Sequence, residues 1–176
     1  MISVVIPHFP YDKAIDETLK RCVDSLKGHD ELILVVNQGI GYARAVNMGI
    51  NLAKGDHICI VNNDLVVEAG DLTELVSDHV TSPRINELTQ DFHGSFVCIP
   101  RSVIDKVGLY DEVFEGGYME DVDYKRRLDD AGIMCECIPS VVVKHEGGTT
   151  IKAIGKEQEY ITKNKERFMQ KWGLSV

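Results

Sequence analysis

The sequence predicts a single compact α/β domain, in which a mainly parallel sheet is flanked by helices. Three observations favour this fold class. The chain has 176 residues, enough for one domain with a sizeable core and too few for two ordinary ones. Short apolar segments alternate with segments of helical periodicity, as in βαβ units. The polar triplet Asn62-Asn63-Asp64 ends one apolar segment, and such sheets bind ligands beyond the carboxyl ends of their strands.

Five segments have the composition of strands. The first three are short, rich in β-branched residues and nearly all apolar, which is typical of strands covered on both faces. The fourth follows Gly94-Ser95, and Pro139 interrupts the fifth. The predicted strands span residues 3–6, 31–36, 57–61, 96–99 and 134–143.

Five other segments have helical periodicity, and we predict helices over residues 14–27, 42–53, 72–79, 122–131 and 157–171. Residues 77–92 are polar, contain Pro83 and lack periodicity, so we expect a loop that joins two halves of the domain. These halves are residues 1–76 and 92–150. Residues 151–176 form a C-terminal helical segment, which we expect to pack on the core.

Composition excludes several classes of protein. The net charge of −9 argues against nucleic-acid binding, which usually needs a basic surface. No apolar segment approaches the roughly 20 residues that span a bilayer, and the N-terminus does not resemble a signal peptide. The five cysteines are odd in number and have no CxxC spacing, which favours reduced thiols. We therefore expect a cytoplasmic protein without a membrane segment.

Asp64 is the first candidate for a functional residue. A carboxylate beside two amides at a strand end suits a divalent cation that is also bound by a ligand's phosphate oxygens. An Asx turn satisfied by its own backbone is the alternative. The triplet alone does not decide between them.

The second candidate is the stretch from Gly116 to Gly132, which carries Glu120, Asp121 and Asp123 at the start of a helix. Acidic residues favour a helix N-terminus, so these charges have a structural explanation. A carboxylate at a junction of loop and helix can also serve as a general base toward a bound hydroxyl.

Two further motifs complete the set. His145 ends an apolar segment and precedes Gly147-Gly148, so it is either a structural histidine or a metal ligand. Gly39 and Gly41 resemble the start of a dinucleotide fingerprint, but Arg44 stands where the third glycine would fall. Arg44 either faces a diphosphate or is a solvated helix residue.

Taken together, these pieces resemble the family 2 glycosyltransferases, and in particular their rhamnosyltransferase-like branch. The resemblance covers most of residues 2–150. It is carried, in this order, by Val4-Val5-Ile6-Pro7, GYARAVNMGINLAKGDHICIVNND, GSFVCIPRSVIDKVGLYDEVFEGGYMEDVDYKRRLDDAG and KHEGGTT.

The resemblance implies a GT-A fold with a Rossmann-like sheet and a metal-dependent, inverting transfer of a hexosyl or deoxyhexosyl group. The donor would be a nucleotide-diphosphate sugar of the UDP, dTDP or GDP type, and the acceptor a glycan or another hydroxyl compound. Residues 1–76 would bind the donor, and residues 92–150 would form the acceptor and catalytic half.

The resemblance also implies roles for single residues. Asp64 and His145 match metal-site positions for Mn²⁺ or Mg²⁺. Asp121 matches the catalytic base, and Glu120 would position the loop or the acceptor. The residues that would contact the donor are Pro7, His8, Asn37, Arg44, Asp56, Asn62 and Asn63.

The chain departs from the family pattern after its second strand, where Asn37 stands in place of the usual Asp, which leaves the nucleobase open. Two alternatives to a glycosyltransferase remain at this point. A non-catalytic nucleotide-sugar-binding module would keep the fold without turnover. A nucleotidyltransferase would need a basic, glycine-rich phosphate loop near the N-terminus, where none is found.

Overall fold

A seven-stranded mixed sheet forms the centre of the protein in a computed structural model, which describes residues 1–174 apart from the side chains of Thr149 and Ala153. The strand order across the sheet is β2-β1-β3-β6-β5-β7-β4. The strands are β1 (Ile2–His8), β2 (Glu31–Val36), β3 (His57–Val61), β4 (Leu65–Ala69), β5 (Val80–Ile85), β6 (Phe96–Pro100) and β7 (Cys135–His145).

Helices cover both faces of this sheet. They are α1 (Lys13–Ser25), α2 (Tyr42–Leu52), α3 (Arg101–Val107), α4 (Glu120–Asp130), α5 (Thr149–Ala153) and α6 (Glu157–Lys171). A short 3₁₀ helix, Leu72–Leu75, follows β4. None of the helices within residues 1–174 is long and apolar enough to cross a membrane.

The alternation of side chains along the central strands divides the core into two clusters. Val5 and Ile60 belong to the cluster on one face of the sheet, whereas Val4 and Cys59 belong to the cluster on the other. Because successive residues of a strand point to opposite faces, a strand buried on both sides has an apolar residue at almost every position. This explains the continuous apolar pattern of β1 and β3.

The predicted α/β domain with a sheet flanked by helices is confirmed, and the sheet is mixed rather than mainly parallel, with three parallel and three antiparallel pairs among the described strands. β1 pairs in parallel with β2 and β3, and β5 pairs in parallel with β7. β6 is antiparallel to both of its neighbours, and β4 is antiparallel to β7. The helical periodicity that predicts parallel strands is present around β1–β3, whereas β6 is entered from a loop and needs no crossover helix.

The predicted loop over residues 77–92 is also wrong, because it contains β5. This strand is mostly buried, yet it carries Thr81, Ser82 and Pro83. The Thr81 hydroxyl donates to the Leu75 carbonyl at 2.6 Å, and Ser82 Oγ accepts from the His93 N–H at 3.1 Å. The register shifts just after Pro83. Local hydrogen bonds and a bulge thus accommodate a sequence that lacks the usual strand pattern.

Other element boundaries follow the sequence more closely. β2, β3 and α6 begin and end where predicted, while the predicted helix over 72–79 shortens to the 3₁₀ turn. β4, α3 and α5 were not predicted. Residues 175 and 176 of the predicted C-terminal segment lie outside the described residues.

Candidate active site

The carboxyl ends of β1, β2 and β3 open onto a cleft with two adjoining cavities. A cavity of about 100 Å³ lies over Asn63 and Asp64. A larger one of about 620 Å³ extends past α2 toward the C-terminal helices. Phe9, Asn37 and Gly116 line both cavities. The polar triplet therefore faces the cleft, at the edge of the sheet where the sequence predicts a ligand-binding site.

Asp64 and His145 form the predicted pair. His145 ends β7 opposite Leu65 of β4, so the β4–β7 ladder brings the imidazole to the residue that precedes β4. His145 Nε2 lies 2.9 Å from Asp64 Oδ1, and both side chains are largely buried. The Glu146 N–H donates to the Asp64 carbonyl at 3.1 Å. The pairing of two distant strands thus assembles a carboxylate and an imidazole at one point.

This pair fits a divalent cation as a partial ligand set. Within residues 1–174, no group of three or more His, Cys, Asp or Glu side chains is arranged to hold a metal by itself. Mg²⁺ is commonly bound by only one or two carboxylates together with substrate phosphates and water. The donor atoms of Asp64 and His145 are suited to that kind of shared site, in which the nucleotide supplies further ligands.

Of the predicted donor residues, His8 does not line either cavity. It lies between Pro7 and Phe9, which do, and strand alternation turns its side chain toward α1. His8 Nε2 is 3.0 Å from Asp16 Oδ1, and its Nδ1 accepts from the Asn63 amide at 2.8 Å. The predicted direct donor contact for His8 is therefore replaced by a supporting one, in which His8 orients Asn63.

Tyr42 is a site residue that the sequence prediction missed. Its hydroxyl donates to Asn62 Oδ1 at 2.7 Å, and its backbone N–H donates to the Gly116 carbonyl. Burial above all, and then the negative charges of Glu120, Asp121 and Asp64, raise the pKa of Tyr42 well above its usual value. Tyr42 therefore stays a neutral donor that fixes Asn62, and its hydroxyl lies within the field of all three carboxylates.

Glu120 and Asp121 begin α4, and their burial argues against a purely surface role. Glu120 is only 6% exposed, and its Oε2 has no hydrogen-bond partner among the described residues. Burial, reinforced by the Asp121 carboxylate, raises the pKa of Glu120 to about 8. Burial also raises the pKa of Asp121, although its Oδ1 accepts from the Val122 N–H at 2.8 Å. Helix-dipole stabilisation alone would not require burial of such costly groups.

Asp123, the third acid of this turn, has a structural role. It is fully buried, and its carboxylate contacts Arg127 on the same helix at 3.0 Å. It also accepts from the Trp172 indole at 3.0 Å and pairs with Lys171 at 2.7 Å. Three partners therefore compensate its buried charge and tie α4 to the end of α6.

Gly94 is a second residue that the sequence prediction missed. A Cβ atom built on Gly94 would overlap the Asp121 side chain, so only glycine lets the loop before β6 approach this carboxylate. The Gly94-Ser95 dipeptide was the available signal.

Asn37 and Arg44 belong to the larger cavity, as predicted for donor-binding residues. Asn37 Oδ1 accepts from the N–H groups of Gly39 and Ile40 at 3.1 and 2.9 Å, which forms an Asx turn. Arg44 is exposed, and its Nε lies 3.4 Å from Glu112 Oε2. The Asx turn shapes the cavity rim, and Arg44 presents a positive charge to it.

Asp56 is not brought to the site. It directly precedes β3 and therefore lies at the amino end of that strand, whereas Asn62 follows the carboxyl end. Its N–H donates to the Met1 carbonyl at 3.0 Å, at the far edge of the sheet. The prediction that Asp56 contacts the donor is therefore wrong, because the two ends of a strand face opposite edges.

Three solved structures have a fold similar to that of this chain. GalNAc-T7 with UDP, GalNAc and Mn²⁺ aligns with a TM-score of 0.68 at 15% identity, over 82% of this chain and 43% of that one. The Pyrobaculum calidifontis mannosyltransferase PcManGT with GDP-Man and Mn²⁺ aligns at 0.61 and 15% identity, over 82% and 56% of the two chains. The catalytic domain of Drosophila beta1,4galactosyltransferase 7 with xylobiose aligns at 0.59 and 16% identity, over 83% and 65%.

The chain has a GT-A glycosyltransferase fold. Within this GT-A domain, residues 33–90 match the model of the family described as Glycosyl transferase family 2, which confirms the resemblance found in the sequence. No curated protein matches the chain in sequence. The GT-A domain spans between about two fifths and two thirds of the solved structures that it matches. The rhamnosyltransferase-like branch stays a prediction.

Proposed function

We propose that this GT-A domain transfers a hexosyl or deoxyhexosyl group from a nucleotide-diphosphate sugar to a hydroxyl group, with inversion at the anomeric carbon. One observation carries the proposal. The Asp64–His145 pair and the Glu120–Asp121 pair lie on either side of Tyr42, whose hydroxyl donates to Asn62 next to Asp64 and also contacts the carbonyl of Gly94, which packs against Asp121. One side of the cleft thus holds the candidate metal ligands, and the other side holds the candidate acid–base residues.

The donor would bind over the carboxyl ends of β1–β3. Asp64 and His145 would hold Mn²⁺ or Mg²⁺, which when bound supplies Lewis-acid stabilisation to a departing diphosphate. Asn63, whose amide donates to His8, lines the smaller cavity. The larger cavity has the volume for a nucleoside, with Phe9 on its wall and Arg44 at its rim. The UDP and GDP-Man complexes of the structural neighbours support a donor of this class.

The acceptor would bind on the other side of Asp121. A cavity of about 730 Å³ borders this residue and is lined by aromatic and polar side chains, among them Phe92, His93, Lys125 and Phe168. A hydroxyl bound there can attack the anomeric carbon from the face opposite the diphosphate, which inverts the configuration. The xylobiose complex of a structural neighbour supports a glycan acceptor.

The pKa values of the two neighbouring carboxyl groups are both raised, mainly by burial. Glu120, with a pKa of about 8, keeps its proton, and its neutral form can donate a hydrogen bond. The raised pKa of Asp121 makes its carboxylate a stronger base toward an acceptor hydroxyl than an ordinary aspartate.

The experiment that tests this proposal is Asp121→Asn. Loss of the base should lower the rate of transfer by roughly 10²- to 10⁴-fold, whereas nucleotide affinity in the presence of Mn²⁺ should stay unchanged. Transfer is measured with radiolabelled nucleotide sugars against a panel of glycan acceptors, and affinity by calorimetry. Asp105→Asn, an exposed acid on α3, serves as the matched control. A fully active Asp121→Asn variant would remove Asp121 from the reaction.

A non-catalytic nucleotide-sugar-binding module is the second candidate, because the cavities over the strand ends fit nucleotide binding whether or not transfer follows. The same assay separates the two functions. A wild-type protein that binds nucleotide with Mn²⁺ and transfers no sugar to any acceptor would support the binding module. Release of pyrophosphate from a nucleoside triphosphate would instead indicate a nucleotidyltransferase.

A further inference from the structure

Helix α6 buries a polar residue rather than an apolar one against the domain. Over its whole described length, Asn164 is the residue of α6 that is fully buried. A helix that only packs on a core buries an apolar stripe. The burial of an amide at the centre of this helix therefore indicates a different task from the simple packing that we expected for the C-terminal helix.

The Asn164 side chain holds the loop that leads into α4. Its Nδ2 donates to the carbonyl oxygens of Glu115, Gly117 and Tyr118 at 2.9, 2.7 and 3.0 Å. Its Oδ1 accepts from Arg167 at 3.3 Å. One buried amide thus binds three carbonyls within a loop of four residues, and this loop ends two residues before Glu120.

The rest of α6 reinforces this contact. The Tyr160 ring lies so close to Gly116 that a Cβ atom there would be 2.5 Å from the ring carbons. The Tyr118 hydroxyl donates to Glu157 Oε1 at 2.8 Å. The Glu115 carboxylate pairs with Lys163 and Arg167 at 2.6 and 2.8 Å. Four successive loop residues therefore contact α6.

The held loop is conformationally strained. Tyr118 and Met119 have φ angles of 71° and 75°, in the left-handed region that side chains other than glycine rarely adopt. Such conformations persist only where the surroundings enforce them. Without the contacts from α6, both residues would relax toward right-handed or extended backbone, and the start of α4 with Glu120 and Asp121 would rotate away from the cleft.

We propose that Asn164 is a positioning residue, which fixes the 115–119 loop and thereby orients Asp121 toward the acceptor hydroxyl. The inference rests on the proposed function for its catalytic consequence. That Asn164 holds the loop follows from its hydrogen bonds alone. The C-terminal helix is then part of the catalytic apparatus, although none of its residues needs to touch the reacting atoms.

The test compares Asn164→Ala with Lys165→Ala, a change at the adjacent exposed position, and with Asn164→Gln, which keeps an amide donor. In Asn164→Ala, kcat should fall on the order of tenfold or more, because small displacements of a catalytic group lower the rate steeply. KM for the nucleotide sugar should rise by a smaller factor, since Glu115 and Gly116 of the loop also line the larger cavity. Asn164→Gln should recover part of kcat, and Lys165→Ala should match the wild type.

Hydrogen exchange measured by mass spectrometry tests the loop itself without any activity. Peptides over residues 115–121 should exchange faster in Asn164→Ala, while peptides over β1–β3 keep wild-type protection.

If Asn164→Ala does not fold, Tyr118→Phe removes only the hydroxyl that reaches Glu157 and should give a smaller change in the same peptides. Unchanged exchange in the loop, or unchanged kcat, would overturn the proposal. A wild-type protein without transfer activity would refute the proposed function, and the exchange result would still decide whether α6 holds the loop.

Discussion

At the scale of single residues, Glu120 is a buried acid whose Oε2 has no hydrogen-bond partner among the described residues. Its carboxyl group is buried beside a second carboxyl group, and its pKa rises from 4.5 to about 8. The folded state therefore holds a proton that the unfolded chain releases above pH 4.5. By linkage, this group lowers the stability of the wild type progressively as the pH rises from about 4.5 to about 8.

Glu120→Gln should remove this loss, because glutamine resembles the neutral acid and does not titrate. The variant should gain up to about 1.4 kcal/mol over the wild type for each pH unit above 4.5 until the pH approaches 8. Urea unfolding at pH 5 and pH 8, without nucleotide or metal, measures the difference. Glu159→Gln changes the same functional group at an exposed position of α6 and serves as control. An equal offset at both pH values would contradict the assigned proton.

Candidate site residues could be recognised in the sequence where they follow from position within one element. Asp64 comes after an apolar strand, and Asp121 begins a helix after a glycine-rich loop, so both stood out in the sequence. Tyr42, Gly94 and Asn164 did not, because each acts through a contact with a distant segment. Asp56 was assigned wrongly because its proximity in sequence to Asn62 hides the full strand between them.

At the scale of elements, a charged cluster lies at the edge where β5 pairs with β7. His79, just before β5, lies 2.8 Å from Asp78 through Nδ1 and 2.9 Å from Glu136 of β7 through Nε2. The hydrogen bond to Asp78, followed by that to Glu136, raises the pKa of His79 above 6.5. Its contribution to stability is therefore complete below pH 6.5 and is lost as the pH rises through the raised pKa.

His79→Leu should remove the contribution of this histidine to the pH dependence of stability. The difference in melting temperature between wild type and variant should be largest near pH 6 and should shrink toward pH 9. Thermal unfolding at intervals over this range, followed by circular dichroism, measures the slope. The double variant Asp78→Asn/Glu136→Gln removes both partners and should flatten the profile in the same way. A constant difference across the range would show that His79 contributes packing rather than charge.

The boundaries of strands and helices were predictable where the apolar periodicity is strong. They were not predictable where buried polar side chains make hydrogen bonds to other segments. The apolar strands of the first half and the long amphipathic α6 could be predicted to the residue or nearly so. β5 could not, because Thr81 and Ser82 are buried polar residues whose partners lie outside the strand. The direction of β6 was equally hidden, since an apolar strand has the same pattern in either orientation.

At the scale of the whole molecule, the site exists because the sheet curls. β3 and β4 are separated by four strand positions, about 19 Å in a flat sheet at the usual spacing. The three residues that connect them reach at most roughly 14 Å. The edge strand β4 must therefore return toward the end of β3, and its partner β7 brings His145 with it. The connection that forces this curl is the triplet Asn62-Asn63-Asp64.

Because Asp64 connects the central strand β3 to the edge strand β4 and His145 ends β7, a bound nucleotide with metal should link the centre of the sheet to its edge and stabilise the whole fold. A ligand at about 100 times its dissociation constant adds roughly 2.7 kcal/mol. For a chain of 176 residues this corresponds to a rise in melting temperature of about 5–11 °C. Thermal unfolding with UDP, GDP, dTDP and CDP, each with and without Mn²⁺, should show such a rise for one nucleotide with metal.

Asp64→Ala should abolish the metal-dependent part of this rise, and His145→Ala should weaken it, because the variants remove a carboxylate and an imidazole from the same point of the cleft. Asp56→Ala is the matched control, since it removes a carboxylate from the same strand at the opposite edge of the sheet. A full rise in Asp64→Ala would show that the nucleotide binds without the pair. Loss of the rise in Asp56→Ala would show that the effect reports general destabilisation and not the cleft.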